Sequence, residues 1–401
     1  MTENLLKDFI DEHIYDVRES RNGRWIDQKC TPDEVSFVAE CVLTYVSDTG
    51  KKVFQSPDIW KSAHAVEKVQ QFFGKPDPLI RSTLDEYNKF FRQPLKMLAA
   101  AKVLKERDER INSTIQFEVV NPDVLAFIAR NEWNAYTFLY LYIEKTLRDS
   151  GIWDLFATFF DQQTKKNFDE MKDGFAAFCK SYTPIRTSLE ANRIFAKVLN
   201  PLACRYHKAG TIAGRMSPVN ITFTALSYNR ENWRDLNKPK DVARQDYGKA
   251  SPQPSSAYFT SKAMEEVRVF NKVNNDGHSE VLGKYSGGEA TQMHHIFSRS
   301  DFPGIASFVE NIVALTPTQH FTLAHPGNNT SKVSPEFQYS CLLSKNETIR
   351  KNIMFGFGRS GFYSFSKFAF VLDVGFATDY FQNIPQNDFS SLRSGIDAQY
   401  E

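Results

Sequence analysis

Thr291-Gln292-Met293-His294-His295-Ile296-Phe297-Ser298 is the stretch from which the rest of this 401-residue chain is read. It leads on to Asn311-Ile312-Val313-Ala314-Leu315 and then to Thr316-Pro317-Thr318-Gln319-His320. Four of the eight histidines (His294, His295, His320 and His325) fall within 32 residues. Met293 to Phe297 and Ile312 to Leu315 are short β-favouring runs. Thr316 suits a helix N-cap, Pro317 the first helical position, and Gln319 completes a Thr-x-x-Gln capping box. The predicted order is strand, loop, strand, helix, with His320 on the first helical turn. His294 on the first strand and His320 on the helix then face one cation. His295 points the other way, because neighbouring strand residues alternate faces. One imidazole can thus ligate a metal while its neighbour stays free to handle a proton.

These residues resemble the HNH nuclease superfamily, whose motif runs His-His, Asn, His over about this interval. The resemblance implies a ββα-metal unit in which His294 and His320 bind one divalent metal. It makes His295 the general base and Asn311 the residue that holds the base or its loop. The similarity covers about Glu289 to Thr330. With the long N-terminal extension, the chain looks most like a type II restriction endonuclease. The resemblance also implies 5′-phosphate and 3′-hydroxyl products and one divalent metal per site, Mg²⁺ first, with Mn²⁺ or another transition metal as alternatives. Some members of the superfamily hold a structural zinc with cysteine pairs; here Cys30, Cys41, Cys179, Cys204 and Cys341 are scattered with no Cys-x-x-Cys. A zinc ribbon or disulfide framework is not expected from that spacing.

The chemistry of phosphodiester hydrolysis fits this set. A neutral imidazole, with a pKa of about 6.5, accepts a proton at neutral pH. A cation stabilises charge at phosphorus and on the leaving oxygen. Arg299 follows the first strand and is a candidate clamp for the scissile phosphate, with a surface salt bridge as the alternative. Glu310 reads as solvated. His325 lies five residues past His320, rotated well away on an α-helix; it binds metal, touches phosphate or only packs, and the rotation favours the last two.

Composition sets the frame. Hydrophobic residues make up 41% and aromatics 14%, with 34 Phe, enough for sizeable cores in two or three domains. No apolar run is long enough to cross a bilayer, and the first residues lack a signal peptide's basic and apolar regions. The expectation is a cytoplasmic protein with no membrane partner. Net charge is only +1, yet Lys180 to Arg215 holds seven Lys or Arg against one acid, a local +6. That stretch is either a solvated face or part of a DNA cleft, since phosphate contacts need a local field rather than a basic total.

Three regions follow: 1–150, helical and a candidate DNA-recognition part; 151–255, a helical core with basic loops; 256–401, the nuclease part with a Phe-rich extension. The fold class is α+β. Thr31-Pro32-Asp33-Glu34 predicts a capped helix. Ser82 to Phe91 and Pro94 to Lys105 read as helices, Ile115 to Val120 as a strand, and Asp123 to Arg130 as a helix. That order is compatible with a winged helix and equally with a helical bundle bearing a stray strand. Asn134 to Leu147, apolar nearly all round, predicts a buried central helix. Thr187 caps a helix to Leu199, after which loops are expected. Arg215, Arg230, Arg234, Lys238 and Lys240 in those loops are candidate DNA contacts, because Arg with Asn can make two-pronged contacts with bases. Gln253-Pro254-Ser255-Ser256 reads as a hinge.

The function expected is sequence-specific DNA cleavage on double-stranded DNA. Because one unit cuts one strand, a homodimer is the simpler arrangement. The alternatives are a non-specific nuclease of a defence or toxin system, and a DNA-binding protein whose HNH fold is inert.

Overall fold

The computed structural model describes residues 3–73, 75, 78–79, 84–111, 114–228, 254–325 and 333–400. The architecture mixes helices with small antiparallel sheets. The chain divides into two compact units at Ser255/Ser256. None of the described helices is long and apolar enough to cross a membrane.

The first unit runs α1 (Glu3–Asp11), α2 (Val17–Ser20), α3 (Pro32–Thr49), β1 (Val53–Gln55), α4 (Ser56–Trp60), α5 (Ala63–Phe73) and α6 (Leu84–Ala100). It continues through β2 (Leu104–Ile111), β3 (Thr114–Val119), α7 (Pro122–Arg130), α8 (Glu132–Asp149), α9 (Trp153–Asp161), α10 (Lys165–Tyr182) and α11 (Ser188–Arg205). The hairpin of β4 (Ala209–Ile212) and β5 (Arg215–Asn220) follows. As the apolar pattern predicts, α8 is buried on most of its surface, against α3, α7 and α11. Thr31 precedes α3 in extended conformation, but its hydroxyl donates to the buried Glu34 carboxylate at 3.1 Å instead of capping a backbone N–H.

Strands β1, β3 and β2 form one antiparallel sheet in that spatial order. Here two local expectations give way. Pro94 lies inside α6 rather than starting a helix, and Lys105 belongs to β2. The chain leaves α6 at Lys102, whose φ of 63° is left-handed, and Leu104 is then buried opposite Val119. Pairing with β3 overrides the helix propensity of the Lys-, Glu- and Arg-rich segment. Likewise α11 continues through Pro201 to Arg205, and the expected loop at 210–215 is the β4–β5 hairpin. Asn200 secures it, exchanging two hydrogen bonds with the Thr211 backbone at 2.8 and 3.0 Å. Within the basic stretch, Lys197 turns inward. Burial lowers its pKa, opposed by Glu34 and Asp33.

The second unit contains α12 (Pro254–Asn274), β6 (Gln292–His295), β7 (Ile312–Leu315), a π-helix (Gln319–Ala324), α13 (Pro335–Phe355), α14 (Phe365–Phe376) and α15 (Phe389–Asp397). Strands β6 and β7 pair antiparallel, with His294 opposite Val313 and His295 opposite Ile312. The Phe-rich segment packs behind them: Phe362, Phe365 and Phe368 are buried, and Phe297 meets Phe376 with ring centres 5.2 Å apart. Gly375 permits that contact, since a Cβ there would sit 2.4 Å from the Phe297 ring.

Candidate metal centre

The hairpin and the π-helix bring His294, His320 and His325 together. One ligating nitrogen from each lies within 4.8 Å of the other two. Ring centres are 5.3 Å apart for His294 and His320, 5.0 Å for His294 and His325, and 4.7 Å for His320 and His325. The first two residues are the ligands expected from the sequence; the third is a correction. On an α-helix a residue five positions on is turned by about 140°. Residues 319–324 instead form a π-helix, whose i→i+5 bonding brings the fifth residue back over the first. His325 therefore closes the triad rather than pointing away from it.

The start of this helical segment was legible. Thr316 Oγ1 accepts from Gln319 N at 3.1 Å, and Gln319 Oε1 accepts from Thr316 N at 3.3 Å, a reciprocal capping box. Gln319 is buried and does more than cap. Its Oε1 accepts from Ser279 Oγ at 2.6 Å, and its Nε2 donates to Val281 O at 2.8 Å. The first turn, and His320 with it, is thereby anchored to the loop that precedes β6.

The donor set fits a divalent cation. His294 Nε2 and His320 Nδ1 are buried without a hydrogen-bond partner among the described residues, a costly state for imidazole nitrogens unless something ligates them. Burial is the main force lowering the His294 pKa, followed by His320, His325 and His295. His320 is pushed down to about 4, by burial and then by His325. Both rings are therefore neutral at neutral pH, the form that binds metal.

His295 leaves the opposite face of β6, as alternation requires. It is half-buried and Nε2 lies 3.0 Å from Ala306 O. A carbonyl only accepts, so Nε2 carries the hydrogen and Nδ1 keeps its lone pair. Burial lowers the His295 pKa, the Ala306 bond opposes that shift, and the Arg299 charge adds to it. Arg299 itself is exposed and has no ion pair among the described residues, so the salt-bridge alternative is not seen there.

Asn311 is fully buried and does not touch His295 directly. Its Oδ1 accepts from Phe297 N at 2.9 Å, and its Nδ2 donates to Phe297 O at 3.1 Å and Ile305 O at 3.3 Å. It thus ties the strand exit to the residue next to Ala306, whose carbonyl orients His295. Glu310 is not solvated as expected but 1% exposed, accepting from Ser364 N at 3.0 Å. That contact comes from a residue 54 positions away, so no local signal could announce it.

Of the other predicted contacts, Arg215 is exposed at the start of β5, in the first unit. Arg230, Arg234, Lys238 and Lys240, with Gln253 of the expected hinge, lie outside the described residues. Pro254 to Ser256 belong to α12. No protein-family model, curated protein or solved structure matches the chain.

Proposed function

We propose that this protein is an HNH-type, metal-dependent DNA endonuclease, acting in the cytoplasm as a type II restriction enzyme. The observation that carries the reading is one strand sending adjacent histidines to opposite faces. His294 joins His320 and His325 in a triad, while His295 stands apart with its Nε2 committed to a carbonyl.

His294, His320 and His325 would hold the cation. Three imidazoles without a carboxylate suit Zn²⁺ or a neighbouring transition metal better than Mg²⁺, which prefers oxygen ligands. When bound, the ion supplies Lewis-acid stabilisation of charge on the phosphate and the departing 3′ oxygen. His295 Nδ1 takes a proton from the attacking water. The hydrogen on Nε2 stays with Ala306 O, which fixes both tautomer and ring orientation. Asn311 is a positioning residue acting through the 297–306 loop, and Arg299 offers a guanidinium to a phosphate oxygen.

In the same reading α3, β1, α4 to α6, β2 and β3 form a winged-helix element. Support comes from their order, helix–strand–helix–helix–helix–strand–strand, and from the β1-β3-β2 sheet with its β2–β3 hairpin. One triad serves one strand of DNA, so a double-strand break needs two copies, in a homodimer or by sequential nicking.

The test is digestion of plasmid DNA with Zn²⁺, Mn²⁺ or Mg²⁺ added to metal-stripped protein. Discrete fragments with 5′-phosphate ends support a restriction enzyme, and a smear supports a nuclease without sequence choice. DNA left intact under all three metals, but shifted in mobility, would reduce the protein to a DNA binder.

A further inference from the structure

The amphipathic pattern of α6 turns one basic face toward solvent. Tyr87, Phe90, Phe91, Leu95 and Leu98 bury the inner side. At spacings of three and four stand Lys89, Arg92 and Lys96, a single stripe along the helix with Lys96 partly covered; Asn88 at its edge accepts from Trp60 Nε1 at 3.3 Å. Lys89 and Arg92 are exposed and have no ion pair among the described residues; Lys96 has only Glu106, at 3.9 Å. Asp85, one turn before Lys89, is the acid on this stripe. Strand β2 adds Arg110, exposed and likewise without an ion pair among the described residues. These cations crowd one another: burial lowers the Lys96 pKa, Glu106 opposes it, and Arg92, Arg24 and Arg110 lower it further. Arg24 is itself committed to Asp27. A cluster of like charges costs stability unless a polyanion meets it.

We infer that the Lys89–Arg92–Lys96 stripe of α6 reads bases in the major groove of duplex DNA while Arg110 holds a flanking phosphate. An α-helix about 10–12 Å across matches a groove about 12 Å wide. Arg is the side chain that most often meets guanine with two hydrogen bonds, and Arg92 stands at the middle of the stripe. Asp85 can accept from the cytosine amino group, whereas a backbone phosphate has no hydrogen to donate and repels the carboxylate, which keeps the backbone from the N-terminal end of the stripe. The inference takes its substrate from the endonuclease reading and adds the residues that choose the sequence.

The experiment uses full-length His295→Ala protein, metal-loaded and selecting from a pool of random duplexes. The parent should enrich a discrete motif. Arg92→Ala should lose affinity for it by about tenfold or more and relax one position. Arg92→Lys keeps the charge but not the fork, and should relax that position with little loss of affinity for unrelated duplexes. Lys96→Ala should weaken every duplex alike and lower the salt slope by about one. Both side chains reach solvent, and an unchanged thermal midpoint will confirm that folding is intact. If Arg92→Ala keeps the parent's motif and affinity, the base-reading stripe is wrong while the nuclease reading stands. A parent that binds no duplex at all overturns both.

Discussion

The hairpin β6–β7 and the sheet β1–β3–β2 are both small antiparallel assemblies, yet they treat polar side chains in opposite ways. Around the hairpin, the nitrogens of His294 and His320 apart, the structural polar groups are buried and bonded. Every residue of β7 is buried, Asn311 makes three hydrogen bonds, and Lys345 pairs with Glu280 at 2.7 Å with both side chains nearly sealed from solvent. Glu280 also accepts from Ala314 N at 2.9 Å, so the ion pair braces the strand that pairs with His294. In the sheet, Arg107 and Glu118 pair at 3.3 Å with side chains 33% and 35% exposed, and Lys105, Asp108 and Glu109 face solvent. The contrast follows from the work proposed for each. Ligating an ion and orienting a base need positions fixed to fractions of an ångström, which buried and satisfied polar groups supply. Attracting a phosphate backbone needs charge in solvent, where rigidity matters less.

Substitutions can break this contrast. The largest effect is expected from His295→Ala, which should slow cleavage by about a thousandfold while DNA affinity holds; single-turnover rates near wild type would remove it as the base. Lys345→Met strands a buried carboxylate and should cost about 3–5 kcal/mol in denaturant unfolding of the second unit. A loss below about 1 kcal/mol would show that solvent reaches Glu280 and that the hairpin is not braced this way. Asn311→Ala removes hydrogen bonds from buried backbone groups and should cost about 2 kcal/mol. It should also lower kcat more than it raises KM, because its target is the loop that orients His295; equal effects on both would argue against that role. Arg107→Ala, the comparable change in the sheet, should cost under about 1 kcal/mol. A loss as large as that of Lys345→Met would erase the distinction between the regions.

How much was legible depended on the range of the interaction. Thr316 and Gln319 announce their capping box because both partners lie within one helical turn. The opposite faces taken by His294 and His295 follow from strand alternation alone. By contrast, Lys105 sits among residues that all favour a helix, and only pairing with β3 makes a strand of them. Pro94 and Pro201 read as boundaries, yet α6 and α11 run through both, because each helix is held along its length by packing that outweighs one lost hydrogen bond. Glu310 looks like a surface acid until Ser364 donates to it.

By itself the sequence determined which residue types carry the site, the face each strand histidine takes, and where the ligand-bearing helix starts, since all of these are settled within a few residues by backbone periodicity. Tertiary structure alone decided that His325 joins His294 and His320, that Ala306 orients His295, and that Lys89 and Arg92 on α6 have no ion pair among the described residues. Each of these rests on a π turn or on contacts between distant segments, and their energies exceed the local preferences the sequence displays.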